Sequence, residues 1–203
     1  MIFKVDRNSP KAQIETATNI LQRSLNEHLE AIQDTLQSQL NNIERAGELL
    51  CKTLLQGNKV LLCGNGGSAA DAQHIAAELV GRYESKRRAW PAIALTTDTS
   101  ALTALSNDYG YEEVFARQVE ALDAVDDVLL ALSTSGTSAN VLKAVSKARE
   151  IGCKTIALTG GVGQPLVSMC DLAVVVPATR TSRIQECHIT IGHLWCEMVD
   201  QIS

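Results

Sequence analysis

From Ala12 to Gln56 the apolar residues recur at three- and four-residue steps: Ile14, Ala17, Ile20, Leu21, Leu25, Leu29, Ile32, Leu36, Leu40, Ile43, Ala46, Leu50 and Leu54. That period predicts a helical segment of many turns, with Gly57 as its stop signal. A helix this long ahead of a compact domain needs a surface to pack on, either the chain's own core or a neighbouring subunit. After Gly57 the pattern changes. Short β-branched or Leu-rich runs stand at Lys59–Leu62, Ala92–Leu95, Val128–Leu132, Thr155–Leu158 and Leu172–Val176, with helical stretches of roughly 10–15 residues expected between them. This alternation predicts βαβ units around a mainly parallel sheet. The strands are continuously apolar rather than alternating, as expected when helices cover both faces. The expected organisation is one three-layer α/β domain over residues 1–203. Residues 1–56 form its N-terminal helical segment, and residues 57–203 form the α/β core with a C-terminal helix.

Composition narrows the functional classes. At 203 residues, 45% hydrophobic and 20% charged, the chain falls in the globular range. Eighteen Lys and Arg against 23 Asp and Glu, with no basic block, count against a general nucleic-acid binder. One phosphate held by a local cluster of donors is still compatible with that charge. No apolar run approaches the roughly 20 residues that span a bilayer, and the N-terminal MIFKVDRNSP lacks a signal-peptide apolar region. The six scattered cysteines form no CxxC pair and are expected to be free thiols in a reducing compartment. The expectation is a cytoplasmic protein that binds neither nucleic acid nor membrane.

Two segments echo one another. KVLLCGNGGSAAD and DVLLALSTSGTSAN each place a small polar loop after an apolar strand and before a helix. In open parallel sheets ligands bind outside the carboxyl ends of the strands, so both loops belong on the functional edge. The second, Ser133-Thr134-Ser135-Gly136-Thr137-Ser138, offers five hydroxyls, with a helix expected to begin near Thr137. N–H groups and the dipole at a helix start attract an anion. The absence of Lys and Arg suits one phosphate monoester better than a triphosphate. An ordinary N-capping turn would use the same residues. The first loop, Cys63 to Ala69, fits a dinucleotide fingerprint only loosely, with no acidic residue at the required distance. It is better read as a tight turn that lets backbone and Ser68 approach a sugar phosphate.

His74 and Glu78 follow on the helix that this loop opens, at a spacing that puts them on one face. Near the C-terminus Gln185, Ile189 and His193 run along one helical stripe. His188 lies off that stripe and reads as solvent-facing or internally satisfied. Gln185 and His193 are separated by about 12 Å along a regular helix. One ion shared by both would require extended side chains or a contribution from another subunit.

The segments LLCGNGGSAADAQHIAAEL, PAIALTTDTSALTALSNDYG, LSTSGTSANV and RIQECHITIGH together resemble the sedoheptulose-7-phosphate (phosphoheptose) isomerases of the sugar-isomerase (SIS) family, over nearly the whole chain. The resemblance implies the SIS fold, a flavodoxin-like αβα sandwich with a five-stranded mainly parallel sheet. It also implies a homotetramer with active sites at subunit interfaces. The implied reaction interconverts sedoheptulose 7-phosphate and D-glycero-D-manno-heptose 7-phosphate through an enediol. This is the first step of bacterial ADP- or GDP-heptose synthesis, which supplies lipopolysaccharide core or capsule. Carried over by position, Asn65, Gly66, Gly67, Asn107 and Asp108 line the substrate, and Ser133, Thr134, Ser135 and Ser138 hold its phosphate. His74, Glu78, Gln185 and His193 match a zinc site with one ion per subunit. Glu78 and His193 are the acid–base pair, Glu78 and Gln185 also touch substrate, and Arg82 supports the site. Where some relatives carry an aspartate just ahead of the RIQ motif, this chain has Thr181-Ser182-Arg183.

Two further readings come from other classes. One SIS relative is a non-enzymatic tetramer that binds the replication initiator DnaA. It shares the phosphate loop but lacks the groups matching Glu78 and His193, both present here. A sugar-phosphate sensor would ordinarily carry a DNA-binding unit, and the N-terminal segment has no helix-turn-helix pattern.

Overall fold

The computed structural model describes residues 16–202; Ile14 and the first residues of the predicted helical segment lie outside them. Helix α1 runs from Ala17 to Leu55, with the Thr16 side chain accepting the N–H of Asn19. It stops as expected at Gly57, whose φ of +86° is a left-handed conformation. The elements that follow are β1 (Val60–Cys63), α2 (Gly67–Val80), β2 (Ala92–Ala94), α3 (Thr99–Tyr109), a 3₁₀ turn (Tyr111–Glu113), α4 (Ala116–Leu122), β3 (Val128–Ser133), α5 (Ala139–Ile151), β4 (Lys154–Gly160), α6 (Leu166–Met169), β5 (Leu172–Val176) and α7 (Thr181–Asp200).

Every strand pairing is parallel, in the order β2-β1-β3-β4-β5. The chain leaves β1 toward one edge of the sheet and returns at β3 to build toward the other. The loops after β1 and β3 therefore diverge and open a crevice between them. Period-two alternation divides the strand residues between two cores. Val60, Leu62, Val128, Leu130, Leu132, Ile156 and Leu158 pack with α1, α2 and α7. Leu61, Cys63, Leu129, Ala131 and Ala157 pack with α4, α5 and α6 on the other face. Because both faces are covered, the strands could not show polar alternation.

Helices α2, α3 and α5 have the expected lengths, but the β4–β5 connection contains only the four-residue α6. Its loop turns through Gly161 and Gly163, both at positive φ. There it passes so close to Gly136 that a Cβ on that glycine would stand 2.3 Å from the Gly163 carbonyl oxygen. Three glycines and Pro165 within residues 160–165 disfavour a longer helix there. His188 takes the second of its two expected places, internally satisfied rather than solvent-facing. It is fully buried, its Nε2 lies 3.1 Å from the Thr159 carbonyl, and burial lowers its pKa to about 4 despite that hydrogen bond.

The two halves of α1 are held differently. From Ile43 onward Ala46, Leu50 and Leu54 are buried, Trp195 donates its indole N–H to the Ile43 carbonyl at 2.9 Å, and Gly47 lets α7 come close through Met198. Before Ile43 only Ala31 and Thr35 are buried. There the helix is tied to α7 and the segment before it by polar contacts: Glu27 with Arg180, His28 with Glu186 at 2.8 Å, and the Ser24 carbonyl with Arg183. Among the described residues no helix is long and apolar enough to cross a membrane.

At the sheet edge opposite the loops, Asp127 is buried, pairs with Lys59, and accepts the N–H groups of Lys59 and Ala124 at 2.8 Å. The neighbouring Asp123 carboxyl is raised to about 6. Burial raises it, Cys153 pulls it down, and the charge of Asp127 pushes it up again. A folded-state value above the unfolded one means that ionisation opposes folding. The effect is absent below the ordinary carboxylate range and complete once pH has risen through about 6. Asp123→Asn is therefore expected to raise the thermal midpoint at pH 7.5 by clearly more than at pH 5, as thermal melts of both proteins at the two pH values would show.

Candidate active site

The glycine loop is built by close approach. A Cβ on Gly64 would stand 2.8 Å from the Ser68 carbonyl oxygen, and Gly66 turns the chain at φ +56° into α2. Ser68 is buried under this turn, while Gly66 and Gly67 are exposed on its crest. Asn65 joins the two predicted loops: its amide and that of Asn140 exchange a pair of hydrogen bonds, each 2.8 Å. Tyr111 donates its hydroxyl to the same Asn65 oxygen at 3.0 Å. Asn107 and Asp108, exposed at the end of α3, bond to each other at 2.8 Å, a few residues before Tyr111.

The hydroxyl loop follows β3. Ser133 Oγ lies 3.1 Å from Ser138 Oγ and accepts the Gly136 N–H at 3.2 Å. Ser135 Oγ lies 2.9 Å from Thr137 Oγ1. Helix α5 begins at Ala139, two residues later than expected, because Ser138 takes the N-cap position. Ser138 makes no side-chain cap bond, so its hydroxyl is not spent on the first turn of the helix. Ser135 and Thr137 are exposed, Thr134 is half-buried and Ser133 is buried. The loop sets these hydroxyls beside the positive end of a 13-residue helix.

The third component lies where α2 meets α7. Gly192 lets the helices approach until a Cβ there would stand 2.6 Å from Ile75. His74 Nε2 and His193 Nε2 are then 2.8 Å apart, and Glu78 Oε1 lies 3.6 Å from His74 Nε2. Tyr83 stacks on the other side of His193, with ring centroids 5.4 Å apart and planes inclined by 29°. One turn before His74, Asp71 has a buried carboxylate oxygen without a partner. Burial raises its pKa and the neighbouring imidazole partly offsets this, leaving it at about 6.

Three of the four residues of the implied metal set, His74, Glu78 and His193, thus meet within one chain. Gln185 does not join them. Its amide lies across Gly67, where a Cβ would be 2.3 Å from Nε2. The contacts Gln185–Gly67 and His193–His74 show that α7 runs alongside α2 in the same direction, which keeps the two ends of the stripe apart. Arg82 turns to the Glu84 carbonyl at 3.3 Å instead of toward Glu78. Two imidazole nitrogens facing each other beside a carboxylate are donors of the kind zinc takes. Among the described residues, however, no three His, Cys, Asp or Glu side chains close a metal site within a single chain.

Asn140, Tyr111, Tyr83 and Asp71 were not among the candidates read from the sequence. Asp71 stands three residues before His74 and so shares its helical face, and Asn140 holds in the second loop the place that Asn65 holds in the first. Tyr83 and Tyr111 carry no such signal.

Comparison with known proteins agrees with this geometry. Residues 13–160 match the SIS domain family model. A phosphoheptose isomerase of Aliarcobacter butzleri is 55% identical over 173 residues, covering 85% of this chain and 92% of that protein. The structure of phosphoheptose isomerase GmhA from Neisseria gonorrhoeae superposes with a TM-score of 0.87 at 44% identity, over 92% of this chain and all of that one. A phosphoheptose isomerase from Francisella tularensis gives a TM-score of 0.89 at 39% identity, with the same coverage.

Proposed function

The chain belongs to the phosphoheptose isomerases of the SIS-domain family, and from that premise we propose that it interconverts sedoheptulose 7-phosphate and D-glycero-D-manno-heptose 7-phosphate, the reaction that opens heptose synthesis. The observation that carries the reading is the meeting of Glu78, His74 and His193, residues up to 119 positions apart, at one contact between α2 and α7. The relatives described above all bear the isomerase name, which leaves the initiator-binding alternative without support.

The reaction moves a carbonyl between C2 and C1. A base takes a proton from C1, the electrons of that bond form the C1–C2 double bond, and an acid protonates the C2 oxygen to give an enediol. The C1 hydroxyl then loses its proton as C2 gains one. Glu78 and His193 supply a carboxylate and an imidazole for these transfers. The phosphate rests on Ser133, Thr134, Ser135 and Ser138 at the start of α5. Asn65, pinned by Asn140 and Tyr111, presents the glycine crest of Gly66 and Gly67 to the sugar, and Asn107, Asp108 and Arg82 border it.

A single chain does not close a metal site among its described residues; in an assembly that parts the His74–His193 contact and brings Gln185 across a subunit boundary, His74, Glu78, His193 and Gln185 would hold zinc, which would polarise the carbonyl and stabilise the enediolate when bound. A homotetramer accounts for two features of the single chain. One is the separation of Gln185 from His193. The other is the outer face of α1, where Leu21, Leu25, Leu29, Leu36 and Leu40 are 56–63% exposed. Leu40 and Ile43 also join Leu194 and Met198 around a cavity of about 470 Å³. The first half of α1 buries almost nothing, and surface ion pairs contribute only about 0–1 kcal/mol each. A second copy covering the leucines would supply the missing burial, at about 1.5–3 kcal/mol for each leucine fully covered. The net charge of −5 and the absence of a membrane-crossing helix among the described residues suit a cytoplasmic enzyme.

The test is turnover of sedoheptulose 7-phosphate by the purified protein, followed by NMR with and without a chelator. Conversion to the aldose is expected, with at least a tenfold loss on chelation that added zinc restores. Conversion unaffected by thorough chelation would remove zinc from the reading, and absence of conversion under every condition would remove the isomerase.

A further inference from the structure

The helices that carry the acid–base pair are joined a second time, away from the chemistry. Residues 81–91 lead from α2 to β2 and pass the end of α7. From this segment Arg87 forms an ion pair of 2.7 Å with Asp200, the last residue of α7, and the two side chains are 1% and 2% exposed. Asp200 also accepts the N–H groups of Glu84 at 2.9 Å and Ser85 at 2.7 Å. Burial alone would raise its carboxyl, but donation from Ser85, Arg87 and Glu84 outweighs it and holds the group below its ordinary value. The Arg87 guanidinium reaches further, donating to the Glu78 carbonyl and the Leu79 carbonyl, each at 2.8 Å. These are last-turn carbonyls of α2, which lack partners inside a helix. Arg87 therefore caps the helix of His74 and Glu78 and binds the last residue of the helix of His193, and that residue, Asp200, gathers the loop that bears Tyr83. That loop is where Tyr83 stacks on His193.

We infer that Arg87 and Asp200 form a positioning clamp for the acid–base pair, acting through Tyr83 and the end of α2 to fix the His193 ring against His74 and Glu78. A buried ion pair contributes little net stability, because desolvation of both charges offsets their attraction. What this pair does supply is geometry. Asp200 stands two turns beyond His193 on α7, and Arg87 holds the backbone of Glu78 itself, so a shift of the clamp moves both catalytic side chains. Displacements of about 1 Å at reacting groups can cost on the order of 10²-fold in rate. The phosphate loop at the start of α5 shares none of these contacts, so the seat of the phosphate should be insensitive to the clamp.

This inference rests on the isomerase reading for its kinetic arm only; its spectroscopic arm stands without it. The experiment compares the full-length protein with Tyr83→Leu, Tyr83→Phe and Arg87→Lys, using histidine ring NMR signals, kcat and KM with sedoheptulose 7-phosphate, and thermal melts. Lysine keeps a charge beside Asp200 but cannot serve that carboxylate and two carbonyls together. Tyr83→Leu is expected to shift the His193 ring signals and lower kcat at least tenfold, with a smaller change in KM. Arg87→Lys should shift the same signals and lower kcat at least threefold, whereas Tyr83→Phe, which keeps the ring, should restore wild-type signals and rate. Unchanged His193 signals in Tyr83→Leu would overturn the proposal. So would an Arg87→Lys protein that melts normally and keeps wild-type signals. Should Arg87→Lys fail to fold, Tyr83→Leu decides by itself. A wild-type protein without turnover would end the isomerase reading while leaving the ring signals to judge the clamp.

Discussion

Glu78→Gln is expected to lower turnover by about 10²–10⁴-fold, the range that a positioned general acid or base contributes, while fold and sugar-phosphate binding persist. Glutamine keeps the shape and the capacity to accept a hydrogen bond but cannot take a proton at neutral pH. The substitution should be quiet structurally because what secures this position is the main chain: the Glu78 carbonyl, not its carboxylate, is held by Arg87. The side chain is 24% exposed and its near neighbour is His74 at 3.6 Å, so no buried partner is left unpaired. Since the same carboxylate stands in the expected zinc set, metal content should be measured alongside rate. Loss of turnover with metal retained assigns the effect to proton transfer; loss of both, reversed by excess zinc, assigns it to ligation. Near-wild-type turnover in a folded variant would remove Glu78 as the base.

How much of this was readable in the chain depends on the range of the interaction. The five strands were legible because burial on both faces makes each a continuous apolar run, and Leu172–Val176 appears in the structure with the bounds that the pattern predicts. The two loops were legible as positions because each follows a strand and opens a helix, although their small polar residues would equally suit an N-capping turn. The pair His74 and Glu78 was legible because helical spacing alone places them together. Gln185 shows the limit. Its stripe with His193 is a correct statement about one helix, yet the partner of each residue is chosen by a second helix lying alongside, which periodicity does not report. Asn65 with Asn140, 75 residues apart, and Tyr83 on His193 depend likewise on where loops land after the sheet has formed. The short α6 was legible too: Gly160, Gly161, Gly163 and Pro165 leave little helix-forming sequence before Leu172.

The contact of Gly136 with Gly163 sets the second large expected effect. Gly136 adopts φ +71°, and a Cβ there would stand 2.3, 2.4 and 2.7 Å from the O, C and Cα atoms of Gly163. All three are backbone atoms, so no side-chain rotation relieves the overlap. The loop is also tied on both sides, by the Gly136 N–H to Ser133 and by the Leu166 N–H to the Gly136 carbonyl at 3.2 Å. Gly136→Ala should therefore incur a left-handed penalty of about 1–2 kcal/mol and a further backbone strain of about 1–3 kcal/mol. Gly57→Ala is the control, since Gly57 is also left-handed at φ +86° but has nothing within 4 Å of its would-be Cβ. At about 2–4 °C per kcal/mol for a chain of this size, the control should lose about 2–8 °C and Gly136→Ala about 4–20 °C. Because relief of the overlap must displace the loop of Ser133 to Ser138, KM for the sugar phosphate should rise at least tenfold in Gly136→Ala and stay unchanged in Gly57→Ala. If the two variants melt alike and bind substrate alike, the hydroxyl loop is not braced by Gly163, and its assignment as the phosphate seat loses the rigidity on which it depends.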